Sequence, residues 1–367
     1  MTRVLVVSAS IGEGHDLPAR LLAAALRERG AEAAIVDGLQ AAGPVARSLA
    51  GGATQLESRA GNVAFDVGHR FVSEWRATRR FSARAIHAVG RRGLLAAVTA
   101  YGPEVVVSTY PGASEILGRL RVAGALAVPV ASAVTDLASL HYWAHPGVDL
   151  HLLIHPESAA EVRAIAGPAA RVRAAYGFSD PAFRHPPERD AARRAIGLPE
   201  AGALVVVSGG GWAVGDLGAA VDEALAAGAR VLVLAGRNDG VHARLDARYA
   251  GRDHVAVWGF TEQMPAVLAA ADVLVHSTAG LTVLEAMMSG CRPISFGWGR
   301  GHIRANNRAY RRFGLAEVAA TPADLRPALA RALAAPRPAP WAPDLPEAAD
   351  LVLAEAHSGS NVAFPHP

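Results

Sequence analysis

The chain has 367 residues, more than one ordinary core holds, so two domains are expected. With 51% hydrophobic and 19% charged residues and a net charge of +3, it is globular rather than disordered. It contains no lysine, so all 36 basic residues are arginine; the Walker phosphate loop, the kinase strand lysine, Schiff-base chemistry with pyridoxal phosphate and the Ser-Lys dyad drop out together.

No apolar run reaches the roughly 18 residues of a spanning helix, and the chain begins directly on a strand pattern without a signal-peptide profile. A single cysteine, Cys291, rules out internal disulfides and suits a reducing compartment. These features predict a cytoplasmic protein.

In chain order, "RVLVVSAS" predicts a first strand, followed by a glycine turn and the helical spacing of Leu17, Leu21, Leu22 and Leu26. Strands follow in "AEAAIVDGL", "EVVVSTY", "VPVASAVTD" and "HLLIH". Near "YGFSDPAFRHPPERD" (176–190) prolines cluster and the strand pattern stops, which predicts a domain boundary. The second half repeats the device with "ALVVVSGGG", the helix pattern "LGAAVDEALAAG", and strands in "RVLVLAG", "VAVWGF", "DVLVHST" and "PISFG". Uninterrupted β-branched runs alternating with helices predict α/β architecture with parallel sheets: two Rossmann-like domains, 1–180 and 181–335. A proline-rich linker and the short helix pattern "EAADLVLAEA" complete the chain over 336–367; that last segment is expected to pack back on the body, with a disordered tail as the alternative.

Several chemistries are missing. The sequence has no D-x-D, no H-E-x-x-H, no C-x-x-C and no G-x-S-x-G, and neither glycine turn fits G-x-G-x-x-G. No metal site and no bound cofactor are therefore expected.

What is present follows the strands, where ligands of such folds bind. In "STAGLTVLEAMMSG" (277–290), Ala279 and Gly280 let backbone approach a ligand, Leu281 follows as a further donor-site candidate, and Thr282 opens a helix whose N–H groups suit a phosphate. Glu285 is placed to accept from a ribose diol; the alternative is a capping box of Thr282 with Glu285 that needs no ligand. "SGGGW" offers Gly209, Gly210 and Gly211 as an anion nest or as a plain tight turn. Arg237 in "AGRND" meets a phosphate or a surface acid.

Together "STAGLTVLEAMMSGCRP", "VWGFTEQMPAVLAAADVLVH" and "LAGRN" resemble the donor half of the GT-B glycosyltransferases, in the branch of the peptidoglycan N-acetylglucosaminyl transferase and the monogalactosyl- and diglucosyl-diacylglycerol synthases. "SASIGEGH" resembles that branch's glycine-rich turn ending in histidine, and "VTDLASLHYWAHPGVDLHLLIHPESAAEVR" resembles the diacylglycerol enzymes in particular. The resemblance implies two domains facing an interdomain cleft and an inverting, metal-independent transfer from a uridine-linked sugar. It implies that Glu285 takes the ribose, that Thr282 and Gly209–Gly211 take the diphosphate, and that Arg237, Phe260 and Met264 surround the base. It makes His15 the general base, with Gly14 beside it admitting the substrates, and Asp136 and His141 candidates to orient or share the proton. Three positions depart from the pattern: Glu13 stands at a usual glycine, His302 and Ile303 stand where a Gln-Glu pair contacts the hexose, and the domain link is "GFSDPAF".

On the acceptor side, residues 59–92 carry eight arginines against Asp66 and Glu74, with Val63, Val67, Phe71 and Trp75 at every fourth position. Phe71, Trp75, Arg76, Arg79 and Arg80 then predict an amphipathic helix on an anionic membrane; a solvated face over a core helix is the alternative. The expected partners are a nucleotide-sugar donor and a lipid or other hydroxyl acceptor, with peripheral attachment to the inner face of the cell membrane and no nucleic acid. A soluble natural-product acceptor, a nucleotide-sugar hydrolase or epimerase, and a binding module with a decayed donor pocket remain as alternatives.

Overall fold

The computed structural model describes residues 1–10, 13–44, 76–278, 280–297 and 302–359. The chain forms two units: one takes Met1–Ser179 and resumes at Asp344, and the other is Asp180–Pro343.

The first unit runs β1 (Arg3–Ser8), α1 (Glu13–Glu28), β2 (Glu32–Asp37), α2 (Gly38–Ala42), α3 (Arg76–Tyr101), β3 (Val105–Ser108), α4 (Pro111–Val122), β4 (Val130–Val134), β5 (Leu150–Leu153), α5 (Ala159–Ala166) and β6 (Val172–Ala174). Its sheet is parallel, in the order β2-β1-β3-β4-β5-β6. The strands are apolar on both faces because helices cover both; Val4–Val7 and Val105–Val107 have no exposed surface. Leu94 and Val98 of α3 pack with Ile116 and Leu117 of α4 over Leu5, Val7 and Val106.

The second unit runs α6 (Arg189–Ala195), β7 (Leu204–Ser208), α7 (Leu217–Ala226), β8 (Arg230–Leu234), α8 (Asp239–Tyr249), β9 (Val255–Trp258), α9 (Met264–Ala270), β10 (Val273–His276), α10 (Leu281–Met288), β11 (Arg292–Phe296), α11 (His302–Phe313), β12 (Glu317–Ala319) and α12 (Pro322–Ala334). This sheet is also parallel, ordered β12-β11-β10-β7-β8-β9, with Val205, Val207, Val231, Val233 and Leu325 in its core.

The last helix, α13 (Ala348–Gly359), belongs to the first unit and packs on α1 and β3. The Ala348 N–H donates to the Tyr176 carbonyl at 2.8 Å, and Arg171 pairs with Glu355 at 2.7 Å. The proline-rich stretch is thus divided: Trp341 is still held in the second unit, its N–H on the Met287 carbonyl.

In each sheet the strand order reverses once, between β1 and β3 in the first and between β7 and β10 in the second. The crevices beyond the carboxyl ends at these reversals are where such sheets take ligands.

Candidate functional site

His15 lies in the first turn of α1, at the β1–β3 reversal. Its Nδ1 is 2.9 Å from the Thr109 carbonyl just after β3. A carbonyl only accepts, so Nδ1 carries the hydrogen and the neutral ring keeps its lone pair on Nε2. Two aromatic rings hold the imidazole: Tyr110, edge-on at 5.3 Å, and Trp143, tilted at 5.7 Å. Burial keeps the Tyr110 hydroxyl above its usual range, with a smaller push from Asp37.

Asp136, two residues past β4, accepts the indole N–H of Trp143 at 2.9 Å. Asp136 therefore connects to His15 through the buried Trp143, a residue that motif and spacing left unmarked. His141 is half-buried in the turn between them. Gly14 is exposed in the same first turn, with open space where a Cβ would stand. Glu13 forms an ion pair with Arg20 at 2.6 Å, which gives the departing carboxylate a local counter-charge.

The second unit gathers its candidates at the carboxyl ends of β7, β8, β9 and β10. Gly209–Gly211 follow β7, and the Gly211 carbonyl accepts the Arg237 N–H after β8 at 2.8 Å. The Arg237 guanidinium sits 3.6 Å over the Phe260 ring, so two residues expected near a base form one stacked pair, both exposed. Met264 is half-buried at the first position of α9. The β7 and β10 loops touch: a Cβ on Gly215 would fall 2.3 Å from Ser277 Oγ.

The capping-box alternative fails. The N-cap of α10 is Gly280, at φ 93° and ψ −134°, and it makes no side-chain cap. Thr282 is thereby the second helical residue, half-buried, while Leu281 and Glu285 are buried. Glu285 is only 6% exposed, on a helix otherwise lined by Val283, Leu284 and Ala286. Sequence reasoning missed the brace behind this turn. His276 Nδ1 donates to the Thr278 carbonyl at 2.6 Å, its ring meets Tyr310 edge-on at 6.1 Å, and the Tyr310 hydroxyl accepts the Gly280 N–H at 3.2 Å. Burial pulls His276 down to about 4, so the ring is neutral at pH 7.

His302 begins α11, and Ile303 beside it is buried. Ala279, Phe71 and Trp75 lie outside the described residues, as do Val63 and Val67. Arg76 is the first residue of α3, and Arg79 and Arg80 follow on it. That helix turns Ala83, Gly90, Leu94 and Val98 inward and Arg80, Phe81, Arg84, Arg91 and Arg92 outward, with Phe81 75% exposed. Among the described residues no helix is long and apolar enough to cross a membrane.

Residues 15–174 match the family model described as monogalactosyldiacylglycerol (MGDG) synthase, and residues 204–335 match glycosyl transferases group 1. No curated protein matches the chain in sequence. Among solved structures, Acinetobacter baumannii MurG is similar at a TM-score of 0.56 and 15% identity, over 99% of this chain and 96% of that one. SsfS6, a glycosyltransferase of Streptomyces sp. SF2575 solved with thymidine diphosphate, gives 0.55 and 17%, over 96% and 99%. Arabidopsis thaliana UGT89C1, complexed with UDP, gives 0.56 and 14%, over 98% and 94%. At these identities the likeness is one of fold. With a glycosyltransferase family model matching in each unit and two Rossmann-like domains of the GT-B kind carrying them, the chain is a GT-B glycosyltransferase.

Proposed function

We propose that the protein transfers a sugar from a uridine-diphosphate donor to the hydroxyl of a diacylglycerol-like lipid at a membrane surface, inverting the anomeric carbon without a metal ion. The observation that supports this reading most is the tautomer of His15. With Nδ1 committed to the Thr109 carbonyl, Nε2 is the basic nitrogen, at a reversal of strand order.

In the proposed reaction, Nε2 takes the proton of the acceptor hydroxyl. The oxygen then bonds to the anomeric carbon as that carbon's bond to the diphosphate breaks on the opposite side. The released uridine diphosphate keeps the electron pair, and its charge is met by main-chain N–H groups at the head of α10 and in Gly209–Gly211. Glu285 accepts from the ribose, and the Arg237–Phe260 stack provides a face for the base. UDP and thymidine diphosphate in the solved relatives support a pyrimidine nucleotide donor.

The lipid acceptor has separate support. The family model over residues 15–174 is that of a glycolipid synthase, and α3 presents Phe81 among Arg80, Arg84 and Arg91. The test incubates the protein with labelled UDP-sugars and vesicles of diacylglycerol and anionic phospholipid. The reading expects labelled glycolipid together with UDP. Full-rate UDP release without acceptor would instead indicate a hydrolase, and glycosylation by a protein that ignores vesicles would indicate a soluble acceptor.

A further inference from the structure

At the amino ends of the second unit's strands, the edge opposite the donor turns, lies a pocket of about 250 Å³. Arg189, Arg292, Arg337 and Asp272 line it, with Ala203 and Leu333. None of these residues belongs to the site described above.

The charges in its wall do not balance. Asp272 is already taken: Oδ1 accepts from Arg189 Nε at 3.0 Å, and Oδ2 accepts from Arg193 Nη2 at 2.9 Å and from the Leu204 N–H at 2.8 Å. Arg292 and Arg337 meet carbonyls rather than acids. Arg292 Nη2 donates to Pro336 at 2.7 Å, and Arg337 Nη2 donates to Ala269 and Ser289, each at 2.7 Å. Each also keeps one buried N–H without an acceptor, Arg292 Nε and Arg337 Nη1. Buried polar groups are nearly always bonded, so two such donors on neighbouring guanidinia are exceptional.

Among the described residues no other buried group beside the pocket supplies the missing negative charge. Cys291 is buried beside these arginines, but burial pushes its thiol up to about 12 and it stays neutral. Asp190, paired with Arg189, and Glu188 are both exposed. Burial and the charge of Arg189 both push Arg193 and Arg337 below the ordinary guanidinium range, as crowded like charges should.

We infer that this pocket binds a small oxyanion, inorganic phosphate or a compact phosphate monoester. Guanidinium forks match the oxygens of a phosphate, and a pocket of about 250 Å³ lies below the usual size of a nucleotide or cofactor cleft. An anion there would join the start of α6, the first residue of β11 and the chain just past α12, stiffening the unit from behind its donor turns.

The test titrates the full-length protein with inorganic phosphate by calorimetry and follows the melting temperature. The expected result is saturable binding with a rising Tm. Arg292→Gln should weaken that binding at least about tenfold with UDP affinity unchanged, and Leu333→Glu, which adds a carboxylate to the wall, should do the same. If Arg292→Gln does not fold, Leu333→Glu decides. Absence of saturable binding by the parent protein, or equal binding by a folded variant, overturns the inference.

Discussion

Trp143 bridges two residues of the proposed reaction centre. Its indole N–H is on Asp136 and its ring lies against His15, so in the proposed site it positions the imidazole. Trp143→Phe keeps a ring but removes the donor. It should slow transfer with UDP affinity unchanged, and cost about 1 kcal/mol of stability for the lost hydrogen bond, measured by turnover and urea unfolding. The sequence holds Asp136 and Trp143 seven residues apart, a spacing that would align them on a helix, but the segment between them is not helical. They meet because the chain bends at Ser139, whose φ is +66°, and a positive φ at serine leaves no trace in spacing. The place of Glu285 was legible, since a carboxylate one turn into a helix after a strand is a marked position. Glu285→Ala should weaken UDP binding by about 1–3 kcal/mol, read by calorimetry, if it holds the ribose; unchanged affinity would remove it from the donor site.

At the scale of elements, the turn from β10 into α10 carries the most structural demand. Gly280 holds φ 93° with its N–H on Tyr310, a conformation that side chains rarely adopt. Gly280→Ala should cost about 1–3 kcal/mol in chemical unfolding and weaken the donor along with it. The capping-box alternative failed because the N-cap is Gly280, two residues before Thr282, and helix boundaries are what sequence patterns locate worst. Ten strands were legible from their apolar runs. β6 and β12, three residues each at the sheet edges and partly exposed, carry too little pattern to be seen. The stripe expected from Val63, Val67, Phe71 and Trp75 lies outside the described residues, while in α3 the spacing of Ala83, Gly90, Leu94 and Val98 shows a core-facing stripe. Its outer face retains Phe81 among arginines. Phe81→Ser with Arg84→Glu should reduce flotation with anionic vesicles; undiminished flotation would move the membrane contact elsewhere.

Over the whole molecule, burial of histidines sets an acid limit. Burial pulls His145, His151, His155 and His276 each down to about 4, while the unfolded chain titrates them near 6.5. Unfolding therefore takes up protons between these values. The stability contribution is complete above pH 6.5, declines as pH falls toward 4, and levels off below that. Each histidine adds at most about 1.4 kcal/mol per pH unit, so urea midpoints should drop steeply across that window and stay flat from pH 7 to 8. The duplicated Rossmann plan was legible because β-branched runs and glycine turns recur in both halves. That the last helix packs back was expected, but which unit it joins was not legible, since that depends on partners as distant as Arg171 with Glu355.

The central claim is that His15 is the base of a sugar transfer, and single-turnover transfer from a labelled UDP-sugar by the parent protein and His15→Ala tests it most directly. The account predicts a rate lower by about 10²–10⁴-fold with UDP affinity preserved. Transfer by His15→Ala at the parent rate would contradict it.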